Sequence, residues 1–158
     1  MAANKVYVLR HTGRWYSPWE RVHRFSVMRG NITLRVRKDQ IMVCSAAKNR
    51  IAVYSMNGEL ECTYGKKGYS SSGHFYDPII CNDDDDGSVL IADRYNNRLQ
   101  VMSPCRVFSI VMLEPSVQWP VGAALYENSL FVTSSAAKII YKYEEKTWKI
   151  CSYTSMRM

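Results

Sequence analysis

The chain has 158 residues, 47% of them apolar and 22% charged, with a formal net charge of +7. That is the length of one ordinary domain with enough apolar side chains for a core, which excludes a disordered chain. The longest apolar stretch, 107–113, is broken by Ser109 and falls far short of the ~20 residues a membrane helix needs. Residues 1–9 have no apolar region after a basic start, so no secretory leader is expected. These features predict a soluble, cytoplasmic protein without a membrane partner.

The chain begins with a strand, Asn4-Lys5-Val6-Tyr7-Val8-Leu9, and a partner strand is expected within 19–27. Between them lies an aromatic and basic cluster, Arg14-Trp15-Tyr16-Ser17-Pro18-Trp19-Glu20-Arg21. Its expected role is to plug the sheet through Trp19, with RNA or a peptide as the alternative ligand. Strands follow at 32–36, 40–45, 50–55 and 59–64, with Asn57-Gly58 as a strong hairpin turn before the last. A third group reads 79–82, 88–92, 98–103 and 107–112, and a fourth reads 121–126, 129–133, 138–143 and 148–153. Four short strands joined by tight turns form an antiparallel meander.

The groups echo one another. Asn49-Arg50-Ile51-Ala52-Val53, Asn97-Arg98-Leu99-Gln100-Val101 and Ala137-Lys138-Ile139-Ile140 repeat the opening strand at intervals of 40 to 48 residues. A repeat of that length built from short strands points to an all-β fold of four-stranded β-propeller blades. The expected division is a half blade at 1–27 and full blades at 28–64, 73–112 and 119–153. Closed propellers use about four to eight blades, so an incomplete propeller is expected. Its open edges could pair with another copy.

The third unit carries a family resemblance. Gly73-His74-Phe75-Tyr76-Asp77-Pro78, then Gly87-Ser88-Val89-Leu90-Ile91-Ala92-Asp93, then Asn96-Asn97-Arg98-Leu99-Gln100-Val101 resembles the NHL repeat. The second unit has Cys44-Ser45 where the family has Ala-Asp, and the fourth has Thr133 at the acidic position. The turn Asp93-Arg94-Tyr95-Asn96-Asn97-Arg98 is similar to those of TRIM-NHL proteins. That resemblance implies single-stranded or stem-loop RNA binding in several members and protein partners in others. The ubiquitin-ligase modules of such proteins need zinc-binding Cys and His clusters, which this sequence lacks.

Meander geometry sorts the loops. The connection between strands two and three shares an end with the connection into the next blade. Face one therefore gathers 46–49, 66–75, 93–97, 113–119 and 134–137. Face two gathers 38–39, 57–58, 83–87 and 104–106. Charge is uneven as well: residues 1–50 hold 11 Lys or Arg against two acids, and residues 51–100 hold four against eight. Face one interleaves cations with rings. Cations position phosphates and rings stack unpaired bases, so the expected RNA-binding residues are Lys48, Lys66, Lys67, Tyr69, His74, Arg94, Tyr95, Asn96, Arg98 and Lys138. Trp119 lies on the same face. Arg50, Arg98 and Lys138 repeat at one position and so have a competing structural reading, with Asp93 as the partner for Arg98. Asn49 and Asn97 are expected to shape their turns. An acidic protein partner is the alternative to RNA.

Other chemistry is weakly signalled. The five cysteines are scattered and odd in number, so reduced core thiols are expected in place of disulfides or a zinc site. Residues 82–93 nearly fit a calcium loop, but strands flank them where an EF-hand needs helices. His11, His23 and His74 fall in different units and assemble no catalytic constellation. The sequence therefore predicts a protein that is not an enzyme and takes no cofactor.

Overall fold

The computed structural model describes residues 3–83, 87–113, 115–127, 129–144 and 150–151. The chain opens with β1 (Asn4–His11) and β2 (Trp19–Val27), a long antiparallel hairpin. Next come β3 (Ile32–Arg37), β4 (Gln40–Ser45), β5 (Arg50–Ser55) and β6 (Leu60–Tyr64), paired in chain order as one four-stranded sheet. A loop carries two short paired segments, β7 (Lys66–Lys67) and β8 (His74–Phe75). The third blade is β9 (Pro78–Asp83), β10 (Val89–Asp93), β11 (Arg98–Met102) and β12 (Phe108–Met112), with a single 3-10 turn at Arg94–Asn96 between β10 and β11. The fourth is β13 (Pro120–Tyr126), β14 (Ser129–Ser134) and β15 (Ile139–Glu144).

The last strand departs from expectation. The meander predicts residues 148–153 beside β15. Instead β16 (Ile150–Cys151) lies antiparallel to the outer edge of β12, with Ile110 opposite Cys151. That edge carries unpaired backbone groups, and any strand within reach can satisfy them.

The sheets of the second and third blades are buried on both faces, because blades stack like pages. All of β10 is buried, and its side chains alternate between two cores. Val89 and Ile91 join Met42, Cys44, Ile51, Val53, Phe75, Ile80 and Met102 between the second and third blades. Leu90 and Ala92 join Leu99, Val101, Val111, Ala123, Leu130 and Val132 between the third and fourth. A third core packs Val6 and Val27 of the hairpin on Ile41, Val43, Ala52 and Tyr54. Two-sided burial explains why β4, β5 and β10 read as nearly continuous apolar runs rather than clean alternations. Among the described residues no hydrophobic core joins β15 to the hairpin.

Hydrogen bonds stitch the first strands of neighbouring blades. Arg35 donates to the Cys81 carbonyl and Arg37 to the Gly87 carbonyl, while Thr33 Oγ1 accepts from the Ile80 N–H at 3.1 Å. Asn49 and Asn97 sit in the left-handed conformation at φ 53° and 52°. They do more than shape their own turns. Asn49 Oδ1 accepts from the Asp77 N–H at 2.8 Å, and Asn97 Oδ1 accepts from the Trp119 N–H at 2.9 Å. Each latches its blade to the strand that opens the next one.

Four cysteines in the described residues are free thiols. Cys44 is buried in the core, as expected, whereas Cys62 and Cys81 are half-buried and Cys105 is exposed in a turn. Burial, reinforced by the neighbouring Cys81, pushes the Cys44 thiol far above the ordinary range. It stays protonated, and only the thiolate is nucleophilic. Iodoacetamide at pH 8 should therefore modify Cys105 in the native protein and reach Cys44 only in denaturant. Peptide mass mapping checks this, and equal rates at the two sites would contradict the packing. Residues 84–86 of the calcium-loop reading lie outside the described residues. No group of three or more His, Cys, Asp or Glu among the described residues could hold a metal ion. No helix among them is long and apolar enough to cross a membrane.

Candidate functional site

The site grows from one buried carboxylate. Asp93 ends β10 and is fully buried. Its Oδ1 accepts from the Tyr76 N–H at 2.7 Å. Its Oδ2 accepts from Arg98 Nε at 2.8 Å, Asn96 Nδ2 at 2.8 Å and Gln100 Nε2 at 2.9 Å. Arg98 and Gln100 then reach outward to the loop before β9. Arg98 Nη2 donates to the carbonyls of Ser71 and His74, and Gln100 Nε2 also donates to the His74 carbonyl at 2.7 Å. Gln100 Oε1 accepts from the Gly73 N–H at 2.8 Å. A charged pair in the interior is tolerable only when its remaining donors and acceptors are satisfied, and here the loop's own backbone satisfies them. The clamp fixes residues 71–76 over the end of the third blade.

That loop presents rings. Tyr69, Tyr76, Tyr95 and Trp119 form a connected strip across face one, with centroid separations of 6.4, 5.0 and 6.0 Å in steep edge-to-face contacts. Such contacts suit the aromatic quadrupole. Tyr69, Tyr95 and Trp119 are 70%, 43% and 44% exposed. Two cations lie on the strip: Lys67 Nζ is 4.7 Å from the Tyr76 ring centre, and the Arg94 guanidinium carbon is 5.0 Å from that of Tyr95. Arg94 is also held by Asp77 at 3.1 Å. The Tyr95 N–H donates to the Tyr76 carbonyl at 3.1 Å, which ties the 3-10 turn to the loop.

The expected residues divide. Lys67, Tyr69, Arg94 and Tyr95 come together in the strip. Lys66 is exposed beside Lys67, and Lys48 and Lys138 are exposed on the turns of the second and fourth blades. His74 is half-buried, stacked against Gly68, and offers its carbonyl to the clamp. Asn96 turns inward to the Gly68 carbonyl and Asp93. Arg98 is only 5% exposed and bound to Asp93; the buried carboxylate removes it from any surface role.

The repeat alignment shifts by one residue in the fourth blade. Lys138 has φ 57° and holds the left-handed position of Asn49 and Asn97, while Ile139 pairs with Ser134 as Arg98 pairs with Asp93. The position of Asp93 is therefore filled by Ser134, not by Thr133, and in the second blade by Ser45. Both serines bond backbone instead: Ser45 Oγ donates to the Arg29 carbonyl at 2.8 Å, and Ser134 Oγ donates to the Gln118 carbonyl. With no carboxylate beside it, Arg50 is exposed.

Two members escaped the sequence reading. Tyr76 is the centre of the strip, and Asp77 anchors Arg94. Both occupy variable positions between Phe75 and Pro78, where no repeat echo singles them out.

No protein-family model and no curated protein matches this sequence. Solved structures do. A streptogramin B lyase superposes with a TM-score of 0.58 at 17% identity, covering 90% of this chain and 48% of its own. The fold is that of a β-propeller. A virginiamycin B lyase from Staphylococcus aureus, in its selenomethionine form, superposes at 0.51 and 13% identity, covering 73% of this chain and 41% of its own. The chain thus spans less than half the length of either propeller, consistent with an incomplete one. These neighbours correct the expectation of a protein that is not an enzyme. Both are lyases, so this architecture supports catalysis, and the missing triad in the sequence is no argument against it.

Proposed function

We propose that face one of this propeller segment binds single-stranded or stem-loop RNA, in post-transcriptional regulation. The observation that carries the proposal is the Tyr69–Tyr76–Tyr95–Trp119 strip with Lys67 and Arg94 laid on it. Rings accept the faces of unpaired bases, cations take the phosphates, and RNA is read by sequence mainly where its bases are unstacked. The likeness to TRIM-NHL propellers rests on the third unit's motif and agrees with this reading.

Fluorescence anisotropy with a randomised single-stranded RNA pool, at fixed salt, tests it. Base stacking contributes about 1–3 kcal/mol per ring, so Tyr95→Ala and Trp119→Ala should each weaken binding about 5- to 150-fold. Lys67→Gln should reduce the salt slope by about 0.7 if it contacts one phosphate. Equal affinity for heparin and RNA, with both ring variants unchanged, would end the RNA reading and favour an acidic protein partner, such as a substrate recruited to a TRIM-NHL type ligase.

A second reading comes from the named lyases: the same face takes a small molecule. Incubation with virginiamycin B followed by liquid chromatography and fragment-ion mass spectrometry addresses it, and conversion to a new product that depends on the strip residues would favour it.

A further inference from the structure

The β1–β2 hairpin reaches past the rest of its blade stack. β2 passes the Asn57-Gly58 turn at Phe25, whose ring lies where a Gly58 side chain would be. Beyond that level the strands continue, and from Leu9 to Arg24 nearly every residue is exposed. Three further residues of β1, Leu9 to His11, add about 10 Å at ~3.3 Å each before the connecting loop. Trp15, Tyr16 and Trp19 at this end are 91%, 66% and 59% exposed. The expected plug is thus absent: Trp19 packs edge-on to His11 at 5.1 Å, and Trp15 to Tyr16 at 5.6 Å, both out in solvent.

The loop is held in shape. The Thr12 N–H donates to the Pro18 carbonyl at 2.8 Å, Thr12 Oγ1 donates to the Ser17 carbonyl at 2.7 Å, and the Arg14 N–H donates to Thr12 Oγ1 at 3.2 Å. Charge is graded along the finger. Glu20 is its one acid and is paired with Arg10 at 3.0 Å. Arg14, Arg21 and Arg24 have no ion pair among the described residues.

We propose that this hairpin is a docking finger for an anionic lipid bilayer surface. Trp and Tyr favour the headgroup level, with an apolar body and a polar tip. Arg14 beside them and Arg21 and Arg24 behind them meet the anionic headgroups, each raising affinity about fivefold near such a surface. The arrangement favours a bilayer over RNA: Trp15 and Tyr16 share the loop with one cation, Arg14, and Arg21 and Arg24 follow along β2, whereas the cations of the face-one strip lie over its rings. Adsorption of this kind requires no spanning segment. The finger leaves by face two, opposite the ring strip, so the two sites can be tested apart.

The experiment is vesicle co-sedimentation of the full chain. Phosphatidylcholine vesicles with about one-third phosphatidylserine should carry the protein down at low salt, and pure phosphatidylcholine should not. The double variant Trp15→Ser/Tyr16→Ser should lower this binding at least tenfold, and Arg21→Gln/Arg24→Gln by a similar factor. All four side chains are exposed, and circular dichroism verifies that the variants stay folded. Tyr95→Ala should sediment like the wild type. No sedimentation with phosphatidylserine vesicles would overturn the proposal. So would a Trp15/Tyr16 variant that sediments unchanged, or one that loses RNA binding while its vesicle binding persists.

Discussion

Asp93→Ala is expected to lower stability by about 3–5 kcal/mol, because it strands the Arg98 guanidinium in the interior without a counter-charge. A domain's whole stability is about 5–15 kcal/mol, so this change takes a large share. It also removes the acceptor of the Tyr76 N–H and of Asn96 and Gln100. The partner variant Arg98→Met separates the two effects. In the background of Asp93→Ala it removes the orphaned charge and should restore part of the loss. The rest belongs to the loop contacts that neither variant replaces. Urea denaturation of wild type, both single variants and the double variant measures the coupling. If Asp93→Ala melts within a degree or two of wild type, the clamp contributes little and the rigidity of the 71–76 loop has another origin.

Phe75→Ala should cost a similar amount. Phe75 is fully buried in the core between the second and third blades, edge-on to Phe108 at 5.6 Å. It is the chain's return from the outer edge of one blade to the start of the next, and it fills the seam it crosses. Truncating a buried Phe costs about 3–5 kcal/mol, or roughly 10 °C in Tm for a domain of this size. Gly65 lies behind the ring at φ 89°, and a side chain there would meet Phe75 at 2.5 Å. Gly65→Ala should therefore be destabilising from the opposite side, by overpacking and by a strained backbone. Thermal denaturation of both variants decides. A Phe75→Ala protein with unchanged Tm would mean that the seam collapses to fill the space.

The blades were legible because strand physics is local. Alternation, the Asn57-Gly58 turn and the repeat interval placed β4 and β5 at their observed limits. The Asp93–Arg98 pair could also be read, since a carboxylate and a guanidinium flank one tight turn. Several features were not legible. The ring strip depends on which side chains three separate loops bring together, and Tyr76 has no periodic signature. The fourth blade's register slipped by one residue because Lys138 mimics an arginine in sequence while sitting in the left-handed turn of an asparagine. The partner of β16 is set by which edge is open, a property of the assembled stack rather than of residues 150–151. The expectation of no catalysis rested on spacing along the chain, which says little about groups brought together across blades, and the lyases that share this fold overturn it.

The Asn49 and Asn97 latches have a consequence for how the stack comes apart. Each runs from one blade to the strand that opens the next, so among the described residues the second, third and fourth blades are latched to their immediate neighbours. Cooperativity in such a chain is nearest-neighbour, like coupled spins on a line. The second and third blades, each flanked by a core on both sides, are then the units from which order spreads. Among the described residues the fourth blade and the hairpin each share a core with one neighbour, and from these fraying is expected to start.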